Sequence, residues 1–196
     1  MMRNTKWKNK YKGIFLVVGT HFSGSSLLTS IIGSHPDVVM LSEVRFFAEM
    51  RAIGKPYTGT KLIYPNQINQ RVLDKYKSMG AKIIFIERDF ENHLNSYMYR
   101  KRLSVVSKFN HNPIWDLIWI GLTLIGLKKQ FIKRRILKTS LFGHSNSLYI
   151  VNYEELVKSP DETIRKVCEY LGIKYSSKML KDGAVYNHGY PRLEIK

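Results

Sequence analysis

Cysteine is almost absent from this 196-residue chain, with Cys168 the single example. A disulfide framework within the chain is therefore excluded, and the composition suits a reducing, cytoplasmic compartment. Acidic residues are scarce as well: fifteen Asp and Glu stand against 32 Lys and Arg, a formal net charge of +17. Such an imbalance favours anionic partners, among them nucleotides, nucleic acid, sulfated or phosphorylated glycans and an anionic membrane face. No apolar run reaches the ~18 residues read as a membrane span. The stretch PIWDLIWIGLTLIGL is interrupted by Asp116. The run Ile14 to Val18 falls short of the ~7–15 residues of a leader's apolar region and reads better as a buried first strand. There is neither an internal repeat nor a low-complexity linker, so one domain over residues 1–196 is expected. With 44% hydrophobic and 24% charged residues, that domain is globular rather than disordered.

What is present is an alternation of strand and helix patterns. GIFLVVG is an apolar, β-branched run closed by glycine, followed by a helix with Leu27, Leu28, Ile31 and Ile32 on one stripe that ends at Gly33. KIIFIERD reads as a second buried strand feeding the helix FENHLNSYMYRKRL. SLYIVNYEEL reads as a third, leading into the helix SPDETIRKVCEYLG. That last helix has Ser159 at its N-cap, Pro160 in its first turn, Glu162 placed for a capping box, and Gly172 as its stop. Its apolar face holds Ile164, Val167, Cys168 and Leu171, which makes Cys168 a core residue rather than a reactive thiol. The alternation predicts an α/β fold, P-loop-like and three-layered (α/β/α), with a mainly parallel central sheet and helices on both faces. Ligands of such sheets bind beyond the carboxyl ends of the strands. The Gly19–Ser26 loop, Glu87-Arg88-Asp89 and Asn152-Tyr153-Glu154 should all emerge at that edge.

The loop GTHFSGSSLL lacks one thing in particular. It nearly spells the phosphate loop G-x-x-x-x-G-K-[ST], with Gly19 and Gly24 in place, but Ser25 stands where the lysine belongs. Backbone N–H groups and a helix N-terminus would still hold an anion, and Ser23, Ser25 and Ser26 add hydroxyls. Losing the lysine argues against ATP as a phosphoryl donor, not against a nucleotide with a single 5′-phosphate at the loop. Arg88 then ends a strand, and Ser96 follows in the next helix. A guanidinium and a hydroxyl so placed can grip a second phosphate, which suggests a nucleotide bearing both 3′- and 5′-phosphates.

At this point the sequence resembles the sulfotransferases that use 3′-phosphoadenosine 5′-phosphosulfate (PAPS). GTHFSGSSLLTSIIGSHPDV resembles their 5′-phosphosulfate motif, KIIFIERDFENHLNSY their 3′-phosphate motif, and YIVNYEELVKSPDETIRKVCEYLGI their third block, in that order from about residue 13 to 173. The resemblance implies PAPS as co-substrate without a metal. Ser23, Gly24, Ser25 and Ser26 would cradle the 5′-phosphate, Arg88 and Ser96 would hold the 3′-phosphate, and Tyr153 would lie near the adenosine. SHPDVVMLSEVRFF resembles the segment of tyrosylprotein and Golgi-type carbohydrate sulfotransferases that carries a glutamate base, which maps onto Glu43, with His35 the alternative. Phe22 occupies the loop position where the family usually has arginine or lysine against the sulfonate, and a phenyl ring cannot neutralise developing charge. Lys61 in TGTKLIYP resembles a family lysine that approaches the transferring group, and His21 is a second candidate cation.

Two rival classes remain open. A P-loop kinase or other NTPase would need magnesium ligands and a phosphate lysine, and neither is evident. A non-catalytic basic module would need Lys and Arg interleaved with aromatics. KKQFIKRR (Lys128 to Arg135) is the one such cluster; a solvated helix face explains it, and nucleic acid is not an expected partner. The expected partners are PAPS and a hydroxyl acceptor, leaning towards a carbohydrate or glycolipid. Just before the basic cluster, Ile114, Leu117, Ile118, Leu122 and Ile125 recur at helical spacing, with Trp115, Trp119 and Ile120 off the stripe. A helix so apolar is read first as buried under the sheet, and alternatively as an acceptor lid or a peripheral contact with an anionic membrane.

Overall fold

A computed structural model of the chain describes residues 11–42, 55–64, 67–96, 121, 124–126, 128–129, 132 and 148–183. Strand β1 (Gly13–Thr20) runs into helix α1 (Ser25–Gly33), then β2 (Val38–Ser42), β3 (Tyr57–Tyr64), α2 (Gln70–Ser78) and β4 (Lys82–Glu87). After the helical segment 90–96 come β5 (Leu148–Asn152), α3 (Tyr153–Lys158), α4 (Pro160–Leu171) and α5 (Lys178–Gly183). The five strands form one sheet in the order β2-β3-β1-β4-β5, and every pairing is parallel.

Strand periodicity divides the core between the two faces of this sheet. Phe15 and Val17 of β1, with Ile84 and Ile86 of β4, pack beneath α1, α3, α4 and α5 through Leu28, Ile31, Leu156, Ile164, Val167 and Met179. Ile14, Leu16 and Val18, with Ile83 and Phe85, face the other way onto Ile68, Leu73, Tyr76 and Met79. Because β1 and β4 are buried on both faces they read as unbroken apolar runs, the signature of a parallel sheet covered on both sides. The α/β sandwich expected from the sequence is therefore present.

Two local expectations are corrected, and three elements were not foreseen. YEEL does not continue the third strand: β5 stops at Asn152, whose side chain accepts from the N–H groups of Glu154 (2.8 Å) and Glu155 (3.3 Å) and so starts α3. The capping box at Ser159 does not form. Ser159 is the N-cap of α4 without a side-chain capping bond, and Glu162 pairs along the helix with Lys166 at 2.7 Å. A lysine one turn onward competes successfully for that carboxylate. The Thr163 hydroxyl instead donates to the Ser159 carbonyl at 2.9 Å. Lastly, β2, β3 and α2 were absent from the sequence-based reading altogether. The C-terminal stop is as expected: Gly172 adopts a left-handed conformation (φ 72°), and the N–H of Ile173 reaches back to the Cys168 carbonyl at 3.0 Å. Cys168 is buried against the Met179 sulfur, and burial pushes its thiol up to about 11.

Candidate active site

Connections leave β1 toward β2 on one side and β4 toward β5 on the other, so the carboxyl ends of β1 and β4 flank the point where strand order reverses. Such a switch point opens a crevice in which α/β proteins hold ligands. The loop after β1 fills one lip of it. Its turn is tightened by Ser23, whose N–H and hydroxyl both donate to the Thr20 carbonyl, at 3.2 and 2.8 Å. Phe22 (φ 64°) and Gly24 (φ 89°) both lie in the left-handed region, with Ser23 between them outside it. Alternation of this kind curls successive N–H groups to one side, the concavity with which backbone amides hold an anion. For Phe22 the conformation costs roughly 1–2 kcal/mol, and strain of that kind gathers at functional loops.

Helix α1 begins at Gly24 with neither a side-chain cap nor an acidic residue in its first turn. Its N-terminal amides and the positive end of its dipole are thus left for an external anion. Two close approaches explain the glycines. A β-carbon on Gly19 would lie 2.4 Å from the Ser23 hydroxyl, and one on Gly24 would lie 2.2 Å from the Tyr153 ring. Of the serines the sequence singled out, Ser23 and Ser25 are buried and Ser26 is exposed. The Ser23 hydroxyl is engaged within the turn, so its contribution to an anion is through the backbone it shapes. Ser26 is different. Its oxygen accepts a hydrogen bond from Lys61 Nζ at 3.0 Å.

Lys61 brings an ammonium group to the start of α1, where the loop has no lysine of its own. It sits on β3 opposite Val17 of β1 and is only 4% exposed. Alternation along β3 sends its side chain to the α1 face, and its length brings the ammonium to the first turn of α1. Its register partner on the other side is Ser42, the last residue of β2. Glu43 lies outside the described residues, as do Trp115, Trp119 and the cations 133–135. His21 is exposed beside Phe22, their ring centroids 6.3 Å apart and tilted by 47°. His35 is buried and structural. Nδ1 accepts from the Asp37 N–H (3.1 Å), which leaves the proton on Nε2 to donate to the Lys174 carbonyl (2.8 Å).

Arg88, just past β4, forms the other lip. Its Nη1 donates to the Phe22 carbonyl at 3.0 Å, its Cζ lies 4.2 Å from the centroid of the Tyr153 ring, and its Nε stands 4.0 Å from Glu154 Oε1. The same oxygen accepts from the Asp89 N–H (3.3 Å) and from Asn92 Nδ2 (3.1 Å). Thus Gly24, Tyr153, Arg88 and Phe22 form one continuous contact joining the loop to β4 and α3. Ser96 stands on the helical segment after Arg88, partly exposed, at the last residue described there. Asn92 was not foreseen, because a polar residue early in a helix carries no distinguishing pattern.

Comparison with known proteins follows the same lines. Residues 13–185 match the sulfotransferase domain family, and the chain belongs to it. Among solved structures, the mouse sulfotransferase SULT7A1 complexed with PAP is 20% identical at a TM-score of 0.62, over 87% of this chain and 62% of that one. The chain thus spans less than two thirds of the mouse structure. A sulfotransferase from Alicyclobacillus acidocaldarius is 18% identical (TM-score 0.54), over 90% of this chain and 91% of that one. The sulfotransferase domain of the Synechococcus PCC 7002 olefin synthase is 16% identical (TM-score 0.60), over 99% and 83%. At these identities the likeness is one of fold. No curated protein matches the chain.

Proposed function

We propose that the protein transfers a sulfuryl group from PAPS to an acceptor hydroxyl. The observation that carries this reading is the convergence of two anion-binding elements on one sheet edge, the uncapped start of α1 with Lys61 and Arg88 held against the loop at Phe22. A nucleotide with phosphates at both ends matches that pair of elements better than a triphosphate does, because the loop carries no lysine of its own. The residues present fit PAPS. The N-terminal amides of α1, with Ser25 and Ser26, would hold its 5′-phosphate, and Arg88 with Ser96 its 3′-phosphate. Tyr153 would border the adenosine. When bound, PAPS supplies an activated sulfuryl group on a phosphate leaving group.

Within that reading, Lys61 holds positive charge where the leaving phosphate gains negative charge, the role the loop position of Phe22 gives up. His21 is a secondary cation at the exposed rim. Glu43 follows Ser42, the register partner of Lys61, and in this scheme takes the acceptor hydroxyl's proton. His35 is excluded as the base because both its ring nitrogens are committed to backbone groups. We assign the acceptor to the carbohydrate or glycolipid class on the glutamate base and the basic surface. The test is calorimetric titration with 3′-phosphoadenosine 5′-phosphate (PAP) and with ATP, with and without Mg²⁺. Metal-independent PAP binding with weak ATP binding is expected; tight Mg²⁺-dependent ATP binding would overturn the reading in favour of a kinase.

A specific observation also favours a peripheral membrane contact. Leu124 (41%), Ile125 (56%) and Ile132 (55%) are exposed, next to exposed Lys128 and Lys129 on the same described helical residues. Burial beneath the sheet, the first reading of that stretch, does not hold for these residues. Apolar side chains beside lysines suit an anionic lipid surface, each cation contributing about 1 kcal/mol. No helix among the described residues is long and apolar enough to cross a membrane. Co-sedimentation with phosphatidylserine vesicles at low salt should retain the protein, and Ile125→Ser with Ile132→Ser should release it. Absence of binding at low salt would end this reading.

A further inference from the structure

We infer that Glu154 is the positioning residue that makes the nucleotide site selective for a 3′-phosphate. The inference rests on the proposed PAPS-binding role of Arg88 and adds a residue to it. Glu154 is the second residue of α3, where a carboxylate is favoured by the helix dipole. One of its oxygens gathers three groups from the corner after β4: the Asp89 N–H at 3.3 Å, Asn92 Nδ2 at 3.1 Å and Arg88 Nε at 4.0 Å. At 4.0 Å the contact with Arg88 is an ion pair rather than a hydrogen bond. Glu154 therefore ties together the strand end that carries Arg88 and the first turn of the segment that carries Ser96. The arginine side chain is only 13% exposed, and two further contacts fix its plane, the Phe22 carbonyl and the Tyr153 ring.

A planar guanidinium recognises phosphate through its fork geometry, so its orientation matters as much as its charge. An anion close to a phosphate site is at first sight a liability, since it repels the ligand. That makes the assignment sharp, because the two effects have opposite signs. Were Glu154 a bystander, neutralising it would remove repulsion and tighten PAP binding. As a positioning residue, its neutralisation removes one of the contacts that set the Arg88 plane and loosens the corner, which weakens PAP binding. AMP, which lacks the 3′-phosphate, should be indifferent to the change.

The experiment measures affinities for PAP and AMP in the full chain carrying Glu154→Gln, an isosteric change that keeps an acceptor for Asp89 and removes the charge. The PAP-to-AMP affinity ratio should fall at least about fivefold, close to a ΔΔG of 1 kcal/mol, with AMP affinity held within about twofold. Asn92→Ala, on an exposed helical position, removes one holder of Glu154 at little risk to folding and should lower the ratio in the same direction. An unchanged or increased ratio in Glu154→Gln overturns the inference. If that variant does not fold, an unchanged ratio in Asn92→Ala overturns it. Equal affinity of the unmodified protein for PAP and AMP would instead refute the 3′-phosphate reading itself.

Discussion

Gly24→Ala probes the joint between the phosphate loop and α3. Two penalties can be worked from the structure. Gly24 has φ 89°, and placing alanine in the left-handed region costs roughly 1–2 kcal/mol. The new methyl would also lie 2.2 and 2.5 Å from two carbons of the Tyr153 ring, an overpacking whose usual cost is about 1–3 kcal/mol. Together they give about 2–5 kcal/mol. At ~2–4 °C per kcal/mol for a chain of this size, the thermal midpoint should drop on the order of 10 °C. A double-mutant cycle separates the terms. In a Tyr153→Ala background the ring is gone and only the backbone penalty remains, so Gly24→Ala should cost about 1–3 kcal/mol less there. Differential scanning calorimetry of the four proteins reads this directly. If the substitution costs the same in both backgrounds, within ~0.5 kcal/mol, then the ring does not hold the loop and the argument fails.

Arg88→Ala should weaken PAP binding at least about tenfold, as expected for a charge-assisted bond of ~1.5–3 kcal/mol, and AMP binding by a smaller factor, since Arg88 also holds the Phe22 carbonyl; calorimetry against both nucleotides checks it. Glu43→Gln should lower the sulfuryl-transfer rate by about 10²–10⁴ with PAP affinity intact, and a rate within a fewfold of the parent would remove Glu43 as the base. His35→Ala should instead destabilise the fold by about 1–3 kcal/mol through an orphaned buried group, visible as a lower thermal midpoint with the pH–rate profile unshifted. Cys168, its thiol raised to about 11, should resist alkylation at pH 8 until denaturant is added. The sign of its linkage follows: the thiol stays neutral longer in the folded state, so its contribution to stability is full below the unfolded pKa of about 9 and is lost as pH rises from there toward 11.

The strands legible in the sequence were those buried on both faces. β1 and β4 are unbroken apolar runs because helices cover each side. Strand β3 escaped notice for a related reason: YTGTKLIY is buried through most of its length, but its apolar pattern is interrupted by Gly59, two threonines and a lysine. Lys61 looks wrong for a core strand because its ammonium leaves the packing and reaches Ser26 in the first turn of α1. Helix α2 was missed since only Leu73 and Tyr76 of its nine residues are buried; its Asn69 cap, which accepts from the Val72 N–H at 3.0 Å, was its clearest local mark. At the site, motif spacing was enough to choose the loop and Arg88, the resemblance to sulfotransferases added Tyr153, and the structure brings the three into contact. The spacing could not reveal that the Ser23 hydroxyl is turned inward to Thr20, or which of the neighbouring carboxylates, Glu87, Asp89 or Glu154, pairs with Arg88. Those depend on which rotamer the packing admits and on segments far apart in sequence.

The strand order has a consequence for synthesis of the chain. β1 occupies the centre of the sheet, yet its neighbours are β3 and β4, and the strand that follows it in sequence lies two places away. One edge of β1 finds its partner only when Lys82–Glu87 has been made, about 60 residues after Thr20. At ~5–20 residues per second, that edge waits about 3–12 s on the ribosome with its backbone unpaired and its flanking side chains apolar. Long, apolar, unpaired edges invite pairing with other chains. The nascent protein should therefore depend on chaperone cover during that interval, and ribosome pauses placed before residue 82 should lower the yield of folded protein more than pauses placed after β4.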